Sequence, residues 1–259
     1  MEELVVVGNA KLERYKELLL KRDSLAKEAH LFQIAYIKEF GDLITECFEA
    51  KIACIEKKKI IAYCQKLLNK GLKPNQADID KMIDETMKDY YQELKAMLAD
   101  NKKLKKESYV SEYELKKIKN AYYRIAKLIH PDMNPDLKND EKAKELWNRT
   151  VAAYEGNSLK DIEELEVLVN EYLESINYKT KDIEIPDIEE KIYKLNEEIT
   201  NIRETDPYQY KYLLSDVDAV EEKKNNIKSE KQDYEDYAKE LDEVIKKFEI
   251  ERVLAWKTN

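Results

Sequence analysis

Lys116-Lys117-Ile118-Lys119-Asn120-Ala121-Tyr122-Tyr123-Arg124-Ile125-Ala126-Lys127-Leu128-Ile129-His130-Pro131-Asp132 is the stretch whose reading decides the fold. Ile118, Tyr122, Ile125 and Ile129 recur at steps of three and four, which places them on one face of a helix. Leu115 and Leu128 widen that face into a stripe suited to a core. Lys116, Lys117, Arg124 and Lys127 fall on the opposite side, with Lys119 at its edge, and no acidic residue lies between Leu115 and Ile129. The chain carries a formal charge of −9, so this basic face is a local exception. Pro131 pushes His130 out of the α region and ends the helix.

Working outward, Pro135 keeps the next residues irregular until Asn139 or Asp140 caps a second helix. Its inward face is Ala143, Trp147, Thr150 or Val151, and Tyr154. The expectation is an antiparallel helical hairpin with His130-Pro131-Asp132 at the tip, the side chains of the tripeptide free of core packing.

Residues 116–155 resemble the J domain of the DnaJ co-chaperone family. The resemblance rests on Lys116-Lys117 followed by Ala121-Tyr122, on His130-Pro131-Asp132 with Asn134-Pro135, and on the closing Ala153-Tyr154-Glu155. Trp147 stands where the family has Phe. Upstream, Asp89-Tyr90-Tyr91-Gln92-Glu93-Leu94 is similar to the opening of helix I of that domain. There the pattern departs from the family: Lys95-Ala96 follows where Gly is usual, and the distance to His130 is longer by about a dozen residues. An extended helix I is expected, with its loop reached near Ser108. The resemblance implies a partner, a DnaK-type chaperone whose ATPase is stimulated by docking of this face. It assigns the trigger to His130, Pro131 and Asp132. Arg124 and Lys127 become the leading docking charges, assisted by Lys116, Lys117 and Lys119. Met133 replaces a basic residue often found after the motif. Tyr122, Ile125, Trp147 and Tyr154 would hold the hairpin together.

Composition sets the frame. The 259 residues include only four Gly and five Pro, while 39% are charged and 18 are Tyr. Such scarcity of breakers predicts an all-α fold of long, coiled-coil-like helices. No apolar run approaches bilayer length. The opening Met1-Glu2-Glu3-Leu4-Val5-Val6-Val7-Gly8 lacks a basic n-region, so a cytoplasmic protein without membrane contact is expected. Cys47, Cys54 and Cys64 are odd in number, lie in a helical pattern and have no nearby His; they read as buried thiols.

Three consecutive regions are expected: an N-terminal long helix (1–73), a J-like domain (74–178) and a C-terminal helical hairpin (186–259). In the first, Leu12, Leu19, Ala26, Ala29, Tyr36, Phe40, Leu43 and Cys47 follow a three-four spacing, with Leu18, Leu25 and Phe32 as an adjacent row. That stripe is wide enough to pack against more than one helix. Unbroken from residue 9 to 69, the helix would run about 90 Å. Gly71 and Pro74 end it, Asn75 with Asp78 caps the next helix, and Ser111 with Glu114 forms a capping box. Gly156 is the expected left-handed cap after the hairpin, and Ser158 with Asp161 starts a further helix carrying Leu159, Ile162, Leu165, Leu168 or Val169, and Tyr172. A linker is expected at 179–185. Pro186-Asp187 then opens an arm with Ile188, Ile192, Leu195, Ile199 and Ile202 in a/d register. Asp206-Pro207 restarts the chain into a second arm reaching Trp256. Its seam is Leu213, Val217, Val220, Ile227, Tyr234, Ala238, Leu241, Ile245 and Phe248, weakened by Lys224 and Lys231. The two arms should pair antiparallel. Beyond Ile227 the longer arm needs the N-terminal helix or a second copy of the chain.

The chemistry excluded is as informative. His130 and Asp132 have no Ser, Cys or Lys nucleophile at a defined spacing and no phosphate loop accompanies them, so neither an enzyme nor a cofactor is expected, and the lone helical His30 makes no metal site. A nucleic-acid reading of the basic face meets an acidic chain and a small footprint. The remaining alternative is a helical scaffold or adaptor that keeps a J-like hairpin as a brace and recruits proteins through its arms. Neither a Gly/Phe-rich linker nor Cys-x-x-Cys repeats occur.

Overall fold

A computed structural model describes residues 2–105, 110–178 and 185–248, with side chains from residue 10 onward. About 85% of the described residues are helical and none is in a strand. Eight α-helices follow in order: α1 (Glu2–Leu68), α2 (Gln76–Lys105), α3 (Glu112–Ile129), α4 (Glu141–Glu155), α5 (Leu159–Ser175), α6 (Ile188–Glu204), α7 (Tyr210–Leu214) and α8 (Val217–Lys246). The all-α class is therefore the observed one. The loop expected near Ser108, most of the linker expected at 179–185 and the arm's end at Trp256 lie outside the described residues.

The helix boundaries follow local chemistry. Gly71, at φ +73°, takes the left-handed turn after α1, where Cβ-bearing residues are strained. Asn75 accepts a hydrogen bond from the Asp78 N–H at 2.9 Å. Ser111 and Glu114 form a reciprocal capping box, Asp140 accepts from the Ala143 N–H at 2.8 Å, and Ser158 caps α5. One cap differs from expectation. Gly156 sits at φ −74° as an ordinary cap, and Asn157 takes the left-handed position at φ 55°. Asn is one of the few residues besides Gly that enter that region.

The chain forms two compact units, each built from separated stretches: Met1–Gln33 with Ser108–Tyr210, and Ile34–Glu107 with Lys211–Asn259. This cuts across the three consecutive regions expected. The physical reason is α1: a wide apolar stripe cannot bury itself, and its two halves are covered by different helices.

In the first unit, Leu12, Tyr15, Leu18, Leu19 and Leu20 of α1 share one core with Ile118, Tyr122 and Ile125 of α3, Leu146 and Tyr154 of α4, Ile162 and Val169 of α5, and Leu195 and Ile199 of α6. α5 packs across both α3 and α4. α6 runs parallel to the start of α1, with Lys11 paired to Glu189 and Arg22 to Glu198.

In the second unit, Ile52 and Cys64 of α1 pack with Ile79, Ile83 and Met87 of α2. α8 runs parallel to this half of α1. Lys224 pairs with Glu39 at 2.5 Å, Lys231 with Glu46 at 2.9 Å, and the Cys54 thiol donates to the Tyr234 carbonyl. The two lysines expected to weaken the seam thus flank it as cross-helix ion pairs one heptad apart. α6 and α8, expected to pair with each other, fall in different units, α6 beside the first part of α1 and α8 beside the second. Val217, placed on the expected seam, is 77% exposed. Nor does a helix start at Pro207: α7 begins at Tyr210 and is a single short turn, and α8 is capped instead by Asp216. Cys47, Cys54 and Cys64 are buried free thiols, and burial raises the pKa of each.

Candidate functional site

α3 ends where Pro131 forbids another helical turn, and His130 is left extended at φ −60°, ψ 127°. The Asn134 side chain then folds back to donate to the carbonyls of Lys127 and His130 at 3.2 and 3.4 Å. The Lys127 carbonyl has no intrahelical partner because Pro131 lacks an N–H, so Asn134 acts as the C-terminal cap of α3, while the His130 carbonyl also accepts from the Met133 and Asn134 backbone N–H groups. Pro135–Leu137 forms a 3₁₀ turn that carries the chain to α4. The hairpin of α3 and α4 with His130-Pro131-Asp132 in its connection is present as the sequence predicts.

The surroundings of His130 are not as predicted. It is 4% exposed, with Trp147 edge-on at 4.5 Å between centroids. Its Nδ1 accepts from the Asp132 backbone N–H at 3.0 Å, which puts the proton of the neutral ring on Nε2. Burial lowers the His130 pKa; Asp23 and Asp132 oppose that shift and Arg22 adds to it. The expectation that the tripeptide's side chains escape core packing is thereby corrected for His130. Pro131 is half-buried and Asp132 exposed. Met133 is fully buried, so it is a packing residue rather than the stand-in for a docking charge.

The cause is α1. Tyr122 donates its hydroxyl to Asp23 at 2.8 Å, and Tyr123 donates to the Leu20 carbonyl at 3.1 Å. Lys27 lies 3.8 Å from the centroid of the Tyr154 ring and donates to the Tyr154 carbonyl in the last turn of α4. Burial holds the Lys27 pKa down at about 8. Tyr122 stacks on Tyr154 at 4.0 Å, completing an aromatic cluster with Trp147. Burial raises the Tyr15 pKa, with the Asp132 carboxylate adding to the rise. The residues resembling the opening of helix I do not supply this layer. Tyr90 and Tyr91 belong to the second unit, where Tyr91 donates to Glu56 at 2.7 Å. The expected extended helix is present as α2, Gln76–Lys105, in the second unit, and in the first unit the start of α1 packs on α3.

On the basic face, Lys116, Lys117, Arg124 and Lys127 are exposed and Lys119 is half-buried. Lys117 lies over the Tyr113 ring at 4.8 Å. Arg124 grips Glu166 of α5 with two nitrogens, the Nη2–Oε2 bond being 2.8 Å. Lys119 faces Glu28 at 3.8 Å. The face is thus partly neutralised from within. Asp23, Glu28 and Glu166 escaped the sequence reading, which named Asn134 in the resemblance but not as the cap of α3.

Among the described residues no three His, Cys, Asp or Glu side chains gather to hold a metal ion, and no helix is long and apolar enough to cross a membrane. What the arrangement offers chemically is a cationic helix face, with the exposed Asp132 carboxylate beside it, suited to recognition of an acidic surface. No protein-family model matches the chain, and no curated protein or solved structure matches it either.

Proposed function

We propose that this chain is a J-domain co-chaperone that docks on a DnaK-type chaperone and stimulates its ATPase. The observation that carries the reading is the α3–α4 hairpin with His130-Pro131-Asp132 in its connection. From it Asp132 projects to solvent beside exposed Lys116, Lys117, Arg124 and Lys127. These four cations recur at helical spacing and so share a side of α3. An acidic docking surface on the partner would be drawn to them, and that attraction weakens with salt. Steady-state ATP hydrolysis by a DnaK-type chaperone, measured with increasing amounts of this protein, tests the proposal. Stimulation that His130→Gln removes is the expected result; no stimulation at saturation would end it.

A second reading is favoured by one specific observation, the burial of His130, Met133 and Asn134. On this reading the hairpin is a brace in a helical scaffold, and the chain recruits other proteins, or a second copy of itself, through its long helices. The same titration separates the two, since a brace gives no stimulation and no salt dependence.

A further inference from the structure

The resemblance treats His130, Pro131 and Asp132 as one trigger, but the fold divides them. His130, Met133 and Asn134 are buried, whereas Asp132 between them is exposed. Each buried side chain is fastened separately. Met133 belongs to the core of the first unit. Asn134 caps α3, and its backbone N–H donates to the His130 carbonyl at 2.8 Å. His130 meets Trp147 edge-on, and Trp147 packs in turn on Tyr122 at 5.7 Å between centroids.

One further bond ties the buried ring to the exposed carboxylate: the Asp132 N–H donates to His130 Nδ1 at 3.0 Å. A ring covered to this degree offers a docking protein almost no surface. The backbone bond, however, fixes the residue from which the Asp132 side chain departs.

We infer that His130 is a positioning residue rather than a docking one: through its Nδ1 acceptor it holds the Asp132 carboxylate in the direction a chaperone meets, and Trp147 holds the ring. The inference rests on the co-chaperone reading of the same site. What the position requires is an acceptor where Nδ1 stands. Asparagine supplies one, because its Oδ1 is as many bonds from the backbone as Nδ1 is, and Asn side chains accept from the N–H two residues on. The Oε1 of glutamine lies one bond further out, and alanine has no acceptor. A ring that met the chaperone through Nε2–H would give the opposite order, since the glutamine amide is the one that reaches as far as Nε2.

The test uses the full chain and DnaK-type ATPase titrations with His130→Asn, His130→Gln, His130→Ala and Asp132→Asn. His130→Asn should stay within about threefold of wild type, while His130→Gln and His130→Ala should fall by roughly fivefold or more, as expected when a bonded backbone donor is left unpaired. Both amides leave a gap beside Trp147, so a difference between them is not a loss of packing. Asp132→Asn should lose stimulation with the His130 ring unchanged. The ¹⁵N shifts of that ring, assigned with His30→Gln because the chain has two histidines, should report the Nε2–H tautomer. They decide the matter if circular dichroism shows that the His130 variants do not fold. Stimulation by His130→Gln equal to or above that of His130→Asn, or an Nδ1–H tautomer in wild type, overturns the positioning role and leaves the co-chaperone reading standing. No stimulation by wild type at saturation, with the Nε2–H tautomer in place, overturns the co-chaperone reading and the positioning role with it.

Discussion

The side-chain amide of Asn101 donates to the carbonyl oxygen of Gly41 at 2.9 Å and to the Thr45 hydroxyl at 2.8 Å, inside the second unit. Thr45 donates in turn to the same Gly41 carbonyl. A Cβ on Gly41 would lie 2.9 Å from the Asn101 Oδ1. Gly41 is thus the gap in α1 that lets a buried amide of α2 approach the backbone.

Gly41→Ala gains up to about 1 kcal/mol of helix propensity. It also displaces an amide that is 8% exposed, and a buried donor left unpaired costs about 1–3 kcal/mol. The second effect wins: urea denaturation should show a net loss, with part of it recovered in the Gly41→Ala/Asn101→Ala pair. Additive losses in that double-mutant cycle would refute the contact.

Lys27 supplies a pH dependence. Burial lowers its folded pKa to about 8 from an ordinary 10.5. Below pH 8 the amine is protonated in both states and the cost of burying its charge is fully present. Between about 8 and 10.5 the unfolded chain binds more protons than the folded one, so the contribution of Lys27 to stability rises with pH. Denaturation midpoints of wild type relative to Lys27→Met should move in favour of wild type from pH 7.5 to pH 10. A pH-independent difference would contradict the assignment.

Arg124 and Lys127 should separate under charge reversal. Both reversals should slow association with a DnaK-type chaperone. Only Arg124→Glu places a second carboxylate against Glu166, so it alone should lower the melting temperature, by an amount set by an exposed pair worth about 0.2–1 kcal/mol. Adding Glu166→Arg should restore stability but not association. Equal melting temperatures for the two single variants would count against the bidentate pair.

Heptad spacing alone ranks Leu195 and Val217 as equivalent seam residues; the structure does not. Leu195 is 4% exposed and Val217 77%. Leu195→Asp buries an unpaired charge and should cost several kcal/mol, whereas Val217→Asp should fall within about 0.5 kcal/mol of wild type. Comparable losses in thermal melts would restore the antiparallel arms.

What was legible in the sequence was local. The caps at Asn75, Ser111, Asp140 and Ser158, the stop at Gly71 and the doubled stripe of α1 each depend on residues within one or two turns. What was not legible was the choice of partner. Periodicity gives α6 an apolar face without saying that Leu12 and Leu19 will cover it. Nothing local to the tripeptide marks that Trp147 covers His130; Asp23, about a hundred positions earlier, carries no local mark of its destination either. Even the resemblance misled in one respect, since Tyr90 and Tyr91 matched the opening of a first helix yet belong to the other unit.

The interleaving of the two units has a consequence for synthesis on the ribosome. Leu18 and Leu19 emerge early, but the α6 residues Leu195 and Ile199 that share their core come nearly two hundred codons later. At roughly 5–20 residues per second, these leucines wait on the order of ten seconds or more for their cover. The α1 surface destined for α8 waits about as long. Neither unit can close in the order in which the chain is made, so a nascent chain of this protein displays a long apolar helix stripe that itself calls for chaperone protection.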